Sequence, residues 1–531
     1  MVQLNRRAFL TSSMAVGLTS TLALGKLGQA KTTRPGTNNT LANQLFPIPP
    51  EALARMRESD ELIDYDALGL AQLIKAREIT ARELVEVVIR RIEAMEPIIN
   101  VLTTPTFERA LEKADQISLN STFAGVPILI KDMIDVGGVR RTDGSRLQLT
   151  NVPVRNVRYI DGVEAAGMNI VGMTNVPEFA QLGIVTNNSA FGLSRNPWDL
   201  SKSTLGSSGG AGAAVAAGIL PLVHGTDGGG SNRLPACANG VFGMKPSRER
   251  MLSGESDGGH NPFKTNQALS RTVRDSAALF NDTEDKSSRV FEPVGLVTGP
   301  STRRLKIGYA ASIRGGLVVE EPVRKAQENV VRLLQDLGHE VVEVTFPVNE
   351  VEFFTNYNGA FLRQFGTVAE STEILSGRAA AESGLLDPFT ASLIEYGASI
   401  TDEQEAQGQV YLAKVPGFYI ETFESIDILM SPVMPVLFVE GDALTPNDRV
   451  NDSTLEFLQN RLAYTAPTNV AGNPAMSVPL NWDDESGLPI GTMFQAAIGN
   501  DKMLYELAYE LEEARPWKEH WAPYSVKYIP V

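Results

Sequence analysis

The chain has one cysteine, Cys237, in 531 residues. No intrachain disulfide can form, and a thiolate-rich metal centre is excluded. Histidine is nearly as scarce: His224, His260, His339 and His520 are the only four. None stands in an HExxH or comparable ligand spacing, so no metal site is expected. A serine enzyme built from this chain has few imidazoles to serve as its base. Positive charge is also in deficit. The formal net charge is −16, which argues against nucleic-acid binding and against docking on anionic lipid. It favours a soluble protein acting on a small neutral or cationic molecule. No segment suits stable membrane insertion, and there is no internal repeat or low-complexity tract.

The first residues carry a pattern of their own. Asn5-Arg6-Arg7-Ala8-Phe9-Leu10 is a twin-arginine sequence. A weakly apolar stretch follows from Thr11 to Gly25, then small residues up to Ala30. Residues 1–30 therefore read as a Tat-type export signal, with a periplasmic or secreted destination. The competing readings are a basic tail or a short anchor; the stretch is short for a span and rich in Ser, Thr and Gly. Residues 31–60 read as a linker or N-terminal extension.

The remainder, 61–531, is expected to be one catalytic domain. Its hydrophobic content of 43% is ample for a large core. Thr80-Ala81-Arg82-Glu83 is a capping box, and Leu84, Val87, Val88, Ile92 and Met95 follow at helical spacing. Pro127-Ile128-Leu129-Ile130 suits a buried strand. Ala211 to Ala217 suits a helix almost without side-chain bulk. Leu222-Val223-His224 suits the next strand. A strand at 305–309, a helix from Pro322 to Leu337 stopped by Gly338, and a strand at 340–344 make a βαβ unit. Such alternation predicts a single large α/β/α layered domain with a mixed, mostly parallel twisted central sheet. Residues 348–415 read as a variable, mostly helical substrate-binding region.

Three segments bear on chemistry. Lys131 directly follows the apolar strand. Desolvation there would lower its pKa and leave an amine able to accept a proton, although an ordinary strand-end lysine is the common case. Gly206-Ser207-Ser208-Gly209-Gly210 exposes two hydroxyls on a permissive backbone. No Lys-Ser or Lys-Thr follows the glycines, so a Walker loop is disfavoured against a plain Gly/Ser loop. Gly225-Thr226-Asp227-Gly228-Gly229-Gly230-Ser231-Asn232-Arg233 frees several N–H groups to converge on one point, as an oxyanion hole requires. A flexible turn is the plain alternative. Asp227 and Arg233 are placed to form an ion pair that braces the loop.

Taken together these segments resemble the amidase-signature family in order and separation, with Ser207 lying 24 positions before Ser231. The resemblance extends to Phe191-Gly192, Asn196-Pro197-Trp198-Asp199, Gly243-Met244-Lys245-Pro246, Pro467-Thr468-Asn469, Gly472-Asn473-Pro474-Ala475 and Gly487-Leu488-Pro489-Ile490-Gly491. It runs from about Asp64 to the C-terminus and is weak around 255–300 and 348–415. Within the family the pattern resembles the branch containing 6-aminohexanoate-cyclic-dimer hydrolase. The resemblance implies Ser231 as nucleophile, Ser207 as a bridging serine on a cis peptide, and Lys131 as base and later acid. It implies an oxyanion hole from the amides of Gly228, Gly229, Gly230 and Ser231. It implies hydrolysis of a carboxamide, linear or cyclic, with no cofactor and no metal. The partner is then a small-molecule amide; homo-oligomerisation is left open.

The chain departs from the family pattern in places. Leu205 stands where glycine is usual, Asn232 where an aliphatic residue is common, and Met173 where lysine is frequent. Lys245-Pro246-Ser247-Arg248-Glu249 differs slightly from the usual run. His224, seven residues before Ser231, is a weak candidate for the base and reads as structural. Cys237 reads as a small buried residue. Two alternatives stand beside the hydrolase: an amidotransferase subunit with glutaminase activity, and a catalytically silent binding protein on the same fold.

Overall fold

The computed structural model describes residues 61–181, 183–254 and 263–529. The expected export signal and linker lie outside the described residues. Helix α1 (Ala81–Ile99) begins at the predicted capping box, with the Thr80 hydroxyl accepting from the Glu83 amide and Glu83 answering the Thr80 backbone. Its buried stripe contains Leu84, Val85, Val88, Ile92 and Met95. Val85 takes the inward place expected of Val87, which is partly exposed.

A small sheet holds β1 (Leu102–Pro105), β2 (Pro127–Lys131) and β3 (Asn169–Thr174), in the order β1-β3-β2. A ribbon of β4 (Arg195–Asn196) and β5 (Asp199–Ser203) leads into the Ser207 loop. Helix α2 (Gly209–Ala216) follows, buried at every position. Its lack of side chains has the anticipated purpose: a Cβ at Gly210 would meet the Asn175 carbonyl oxygen at 2.7 Å.

The large sheet contains β6 (Leu222–Asp227), β7 (Phe242–Lys245), β8 (Thr265–Ser270), β9 (Lys306–Tyr309), β10 (Glu340–Glu343), β11 (Ile428–Pro432), β12 (Ala475–Trp482) and β13 (Pro489–Ala496). Their spatial order is β10-β9-β11-β13-β12-β7-β8-β6. The α/β class and the mixed sheet are as expected; the parallel majority is not. Parallel pairing is confined to β2–β3 and to β10–β9–β11. The other neighbours in the large sheet are antiparallel. Two features explain this. The unit from β6 through helix α3 (Arg233–Asn239) to β7 leaves a gap that β8 fills, running against both. β12 and β13 are joined by a tight turn at Asp483–Leu488 and so must oppose each other. The predicted βαβ unit is present, with helix α4 (Glu321–Asp336) between β9 and β10.

Residues 350–412 are helical: α5 (Glu350–Phe361), α6 (Gly366–Ser376), α7 (Pro388–Ala398) and α8 (Asp402–Leu412). α5 and α8 pack closely, because Gly408 has no Cβ to strike the Asn356 carbonyl, which would lie at 2.4 Å. Helix α9 (Ala466–Ala471) comes under the Ser231 loop, and α10 (Asp501–Ala514) backs the sheet.

Candidate active site

The site forms where β2 of the small sheet meets edge strand β6 of the large one. The two strands are linked through a side chain, since the Lys131 amide donates to His224 Nδ1 at 3.2 Å. β2 ends at Lys131 and β6 ends at Asp227, so their C-terminal residues come together.

The apolar run of β2 carries Lys131 fully into the interior, at 0% exposure. Its Nζ lies 2.7 Å from Ser207 Oγ, 2.8 Å from Thr226 Oγ1 and 3.3 Å from the Thr226 carbonyl oxygen. All three partners are uncharged. Burial therefore holds the amine well below the usual lysine range; the Lys264 charge adds to this, against Asp227 and Asp143.

Ser207 is buried, and the Gly206–Ser207 peptide is cis. Leu205 just before it has φ +54°, in the left-handed region where glycine is the usual tenant. The two serine loops are laced together. The Ser208 amide donates to the Ser231 carbonyl at 3.2 Å. The Ser208 hydroxyl lies 3.2 Å from the Thr226 carbonyl oxygen and 3.3 Å from Asn232 Oδ1. Asn232 Nδ2 also donates to the Met244 carbonyl at 3.2 Å. Its amide thus points inward and joins β7 to the Ser208 loop, a task an aliphatic residue could not perform.

Ser231 is partly exposed, between buried Gly230 and Asn232. Among the described residues no hydrogen bond engages its hydroxyl, so the side chain is not consumed by the scaffold. The loop around it is braced by the anticipated ion pair, at 0% exposure on both sides. Arg233 Nε and Nη2 reach the two Asp227 oxygens at 2.9 and 3.0 Å. Burial opposes the Asp227 charge, but Arg233, with Lys245 and Asn469, outweighs it and keeps the carboxyl below its ordinary range. One amide is diverted: Gly230 N–H donates to Asp227 Oδ1 at 2.8 Å, so it is already spent on the brace.

Two contributors were not singled out from sequence. Asn469 donates to the Asp227 carbonyl at 3.0 Å and accepts from Arg233 Nη2 at 2.6 Å. Thr465 Oγ1 donates to the Gly229 carbonyl at 2.7 Å. Asn469 lies in the Pro467-Thr468-Asn469 motif, but a distance of over 200 residues hides its role. Nothing in the sequence marks Thr465.

The competing base falls away on geometry. His224 Nδ1 accepts a backbone N–H, so its lone pair is occupied, and the ring is neutral. Burial pushes its pKa down to about 3. Cys237 is buried, its sulfur accepting from the Gly491 amide at 3.2 Å, and burial raises its pKa to about 11. Met173 is buried in β3. Lys245 is buried with its Nζ on the Pro246 carbonyl at 2.8 Å. Among the described residues no group of three or more His, Cys, Asp or Glu could hold a metal ion, and no helix is long and apolar enough to cross a membrane.

The chain belongs to the amidase family, whose model matches residues 83–505, and it is an amide-hydrolysing enzyme. It is 33% identical over 473 residues to the Mycobacterium tuberculosis protein named "Putative amidase AmiC", covering 87% of this chain and 97% of that one. It is 32% identical over 492 residues to a subunit of the glutamyl-tRNA(Gln) amidotransferase of Acidothermus cellulolyticus, covering 86% and 95%. Among solved structures, 6-aminohexanoate cyclic dimer hydrolase complexed with substrate matches with a TM-score of 0.77 at 28% identity, covering 87% and 99%.

Proposed function

We propose that this enzyme cleaves its amide through an acyl-Ser231 intermediate, using a Ser231–Ser207–Lys131 relay. The observation that carries the reading is the 2.7 Å contact between a fully buried Lys131 amine and Ser207. A neutral amine donates two N–H bonds and accepts one. Thr226 supplies two acceptors, its hydroxyl and its carbonyl, which leaves the Nζ lone pair for the Ser207 hydroxyl. Ser207 passes its proton to Lys131 as it takes the proton of Ser231, and Ser231 Oγ forms a bond to the amide carbon. The negative charge on the former carbonyl oxygen is met by the amides of Gly228, Gly229 and Ser231. The Gly230 amide acts indirectly, holding the loop against Asp227. Collapse breaks the C–N bond, and the amine or ammonia takes the proton back through the relay. Water then attacks the acyl-enzyme by the same path and releases a carboxylate.

The test is labelling by a serine-directed fluorophosphonate together with amide turnover. Wild type labels and turns over; Ser231→Ala does neither. Equal labelling of the two proteins sinks the nucleophile assignment. The likeness to the amidotransferase subunit supports a second reading, glutaminase activity that depends on a partner; glutamine hydrolysis exceeding that of simple amides would favour it. The twin-arginine pattern supports a periplasmic or secreted enzyme, and cell fractionation with Arg6→Lys/Arg7→Lys as control tests that.

A further inference from the structure

The register of β8 on β6 pairs Thr265 with Asp227. Continued outward, it sets Lys264 opposite Gly228 and Phe263 opposite Gly229, on the loop that presents Ser231. A Cβ at Gly228 would indeed lie 4.0 Å from the Lys264 Cα. Phe263 is held there: its carbonyl accepts from Asn469 Nδ2 at 3.1 Å, the same amide that donates to the Asp227 carbonyl.

From Phe263 a row of rings runs away along α5. The Phe263 and Phe361 centroids are 6.2 Å apart. Phe361 stacks on Tyr357 at 4.9 Å, and Tyr357 on Phe353 at 5.5 Å. The spacing 353, 357, 361 places three rings on one helix face. Phe353 is wholly buried, while Tyr357, Phe361 and Phe263 are partly exposed. The row runs from the core to partly exposed rings, with the Phe263 backbone against the loop that bears Ser231 and the Arg248 guanidinium 5.9 Å from the Phe263 ring; such a row suits the apolar wall of a small-molecule site.

We propose that this row binds an aryl or unbranched alkyl group attached to the scissile amide, so that the enzyme prefers apolar amides. The inference rests on Ser231 being the nucleophile. Association buries apolar surface against Phe263, Phe361 and Tyr357, and only the reacting amide has to face the polar relay.

The test uses full-length protein and release of ammonia or amine from acetamide, hexanamide, phenylacetamide and N-hexylacetamide. Wild type is expected to show a higher kcat/KM for at least one apolar amide than for acetamide. Phe361→Ala should lower that ratio by about tenfold, mostly through KM, and Phe361→Leu by less, because it retains apolar volume. The proposal is overturned if acetamide or glutamine is preferred over every apolar amide. It is also overturned if both variants lower all substrates equally, since the row is then only part of the core. Fluorophosphonate labelling separates the two readings. Ser231-dependent labelling with an unmoved ratio removes only the aromatic row; labelling that survives Ser231→Ala removes the nucleophile.

Discussion

The loop bearing Ser231 and the helices from Glu350 to Leu412 are held by opposite means. In the loop, order comes from buried polar contacts: Asp227, Arg233, Asn469, Thr465, Ser208 and Asn232 each spend their hydrogen bonds on backbone or on one another. In the helices, order comes from apolar rings and close backbone approach, with charged pairs such as Arg363–Glu405 left at the surface. Polar lacing fixes each atom, because an unpaired buried donor or acceptor costs about 1–3 kcal/mol. Apolar packing fixes volume and tolerates exchange of residues. The first suits a relay whose atoms must meet within tenths of an ångström. The second suits the substrate wall proposed for these helices.

The comparison breaks first, if it breaks, at Lys131. Lys131→Met fills the same space without a proton acceptor. Turnover is predicted to fall by about a thousand- to ten-thousandfold with the fold intact. Wild-type kcat/KM should rise with pH to a plateau as Lys131 deprotonates, and the plateau should come well below the usual lysine range. The same shift enters stability. Between the folded and unfolded pKa values the unfolded chain holds a proton that the native state has released, so stability rises with pH across that window. Urea titrations of wild type and Lys131→Met at a series of pH values would check this; equal slopes would contradict a depressed Lys131.

Next in size is the brace. Asp227→Asn leaves a buried guanidinium without its carboxylate, and the loss of stability is predicted at about 3–5 kcal/mol. Asp227→Asn with Arg233→Met removes both charges and should recover part of that loss. If the double variant is as unstable as the sum of the two singles, the two residues are not acting as a pair.

These two predictions concern the part of the molecule that the sequence makes legible. Lys131, Ser207, Ser231, Asp227 and Arg233 draw attention because they stand in short motifs of residue types suited to few tasks, and the structure brings Lys131 onto Ser207 and Arg233 onto Asp227. The capped helix, the glycine-alanine helix and the β9–α4–β10 unit are readable from local pattern alone. The sheet's antiparallel majority is not, since β8 enters between β6 and β7 from beyond them in the chain. Nor is the diversion of the Gly230 amide, which depends on where the Asp227 carboxylate points. Phe263, Phe361 and Tyr357 look like ordinary core positions until the register of β8 sets Phe263 against the Ser231 loop and the ring contacts tie the other two to it.

Leu205 separates conformational cost from packing. Its left-handed backbone costs about 1–3 kcal/mol, which Leu205→Gly would relieve. The side chain is fully buried in an apolar cluster, and emptying such a site costs about 2–5 kcal/mol. Packing wins, so the variant is predicted to be less stable by about 1–2 kcal/mol. A gain in stability would mean that the Ser207 loop is held by its hydrogen bonds alone.

The smallest effect sharpens the contrast most, because it applies one chemistry to both regions. Thr80 and Thr401 each close a capping box, at the starts of α1 and α8. Replacing either by alanine should cost about 1 kcal/mol. α1 supports the catalytic core, so Thr80→Ala should lower the melting temperature and leave the ratio of hexanamide to acetamide turnover unchanged. The start of α8 packs on the end of α5 that carries Phe361: a Cβ at Gly359 would lie 2.6 Å from the Gln404 carbonyl oxygen. Thr401→Ala should therefore shift that ratio by about twofold at temperatures where the protein remains folded, since under 0.5 kcal/mol of the lost stability has to reach the ring. An equal shift from both variants would mean that the two regions move as one and that the division between relay and pocket is not mechanical.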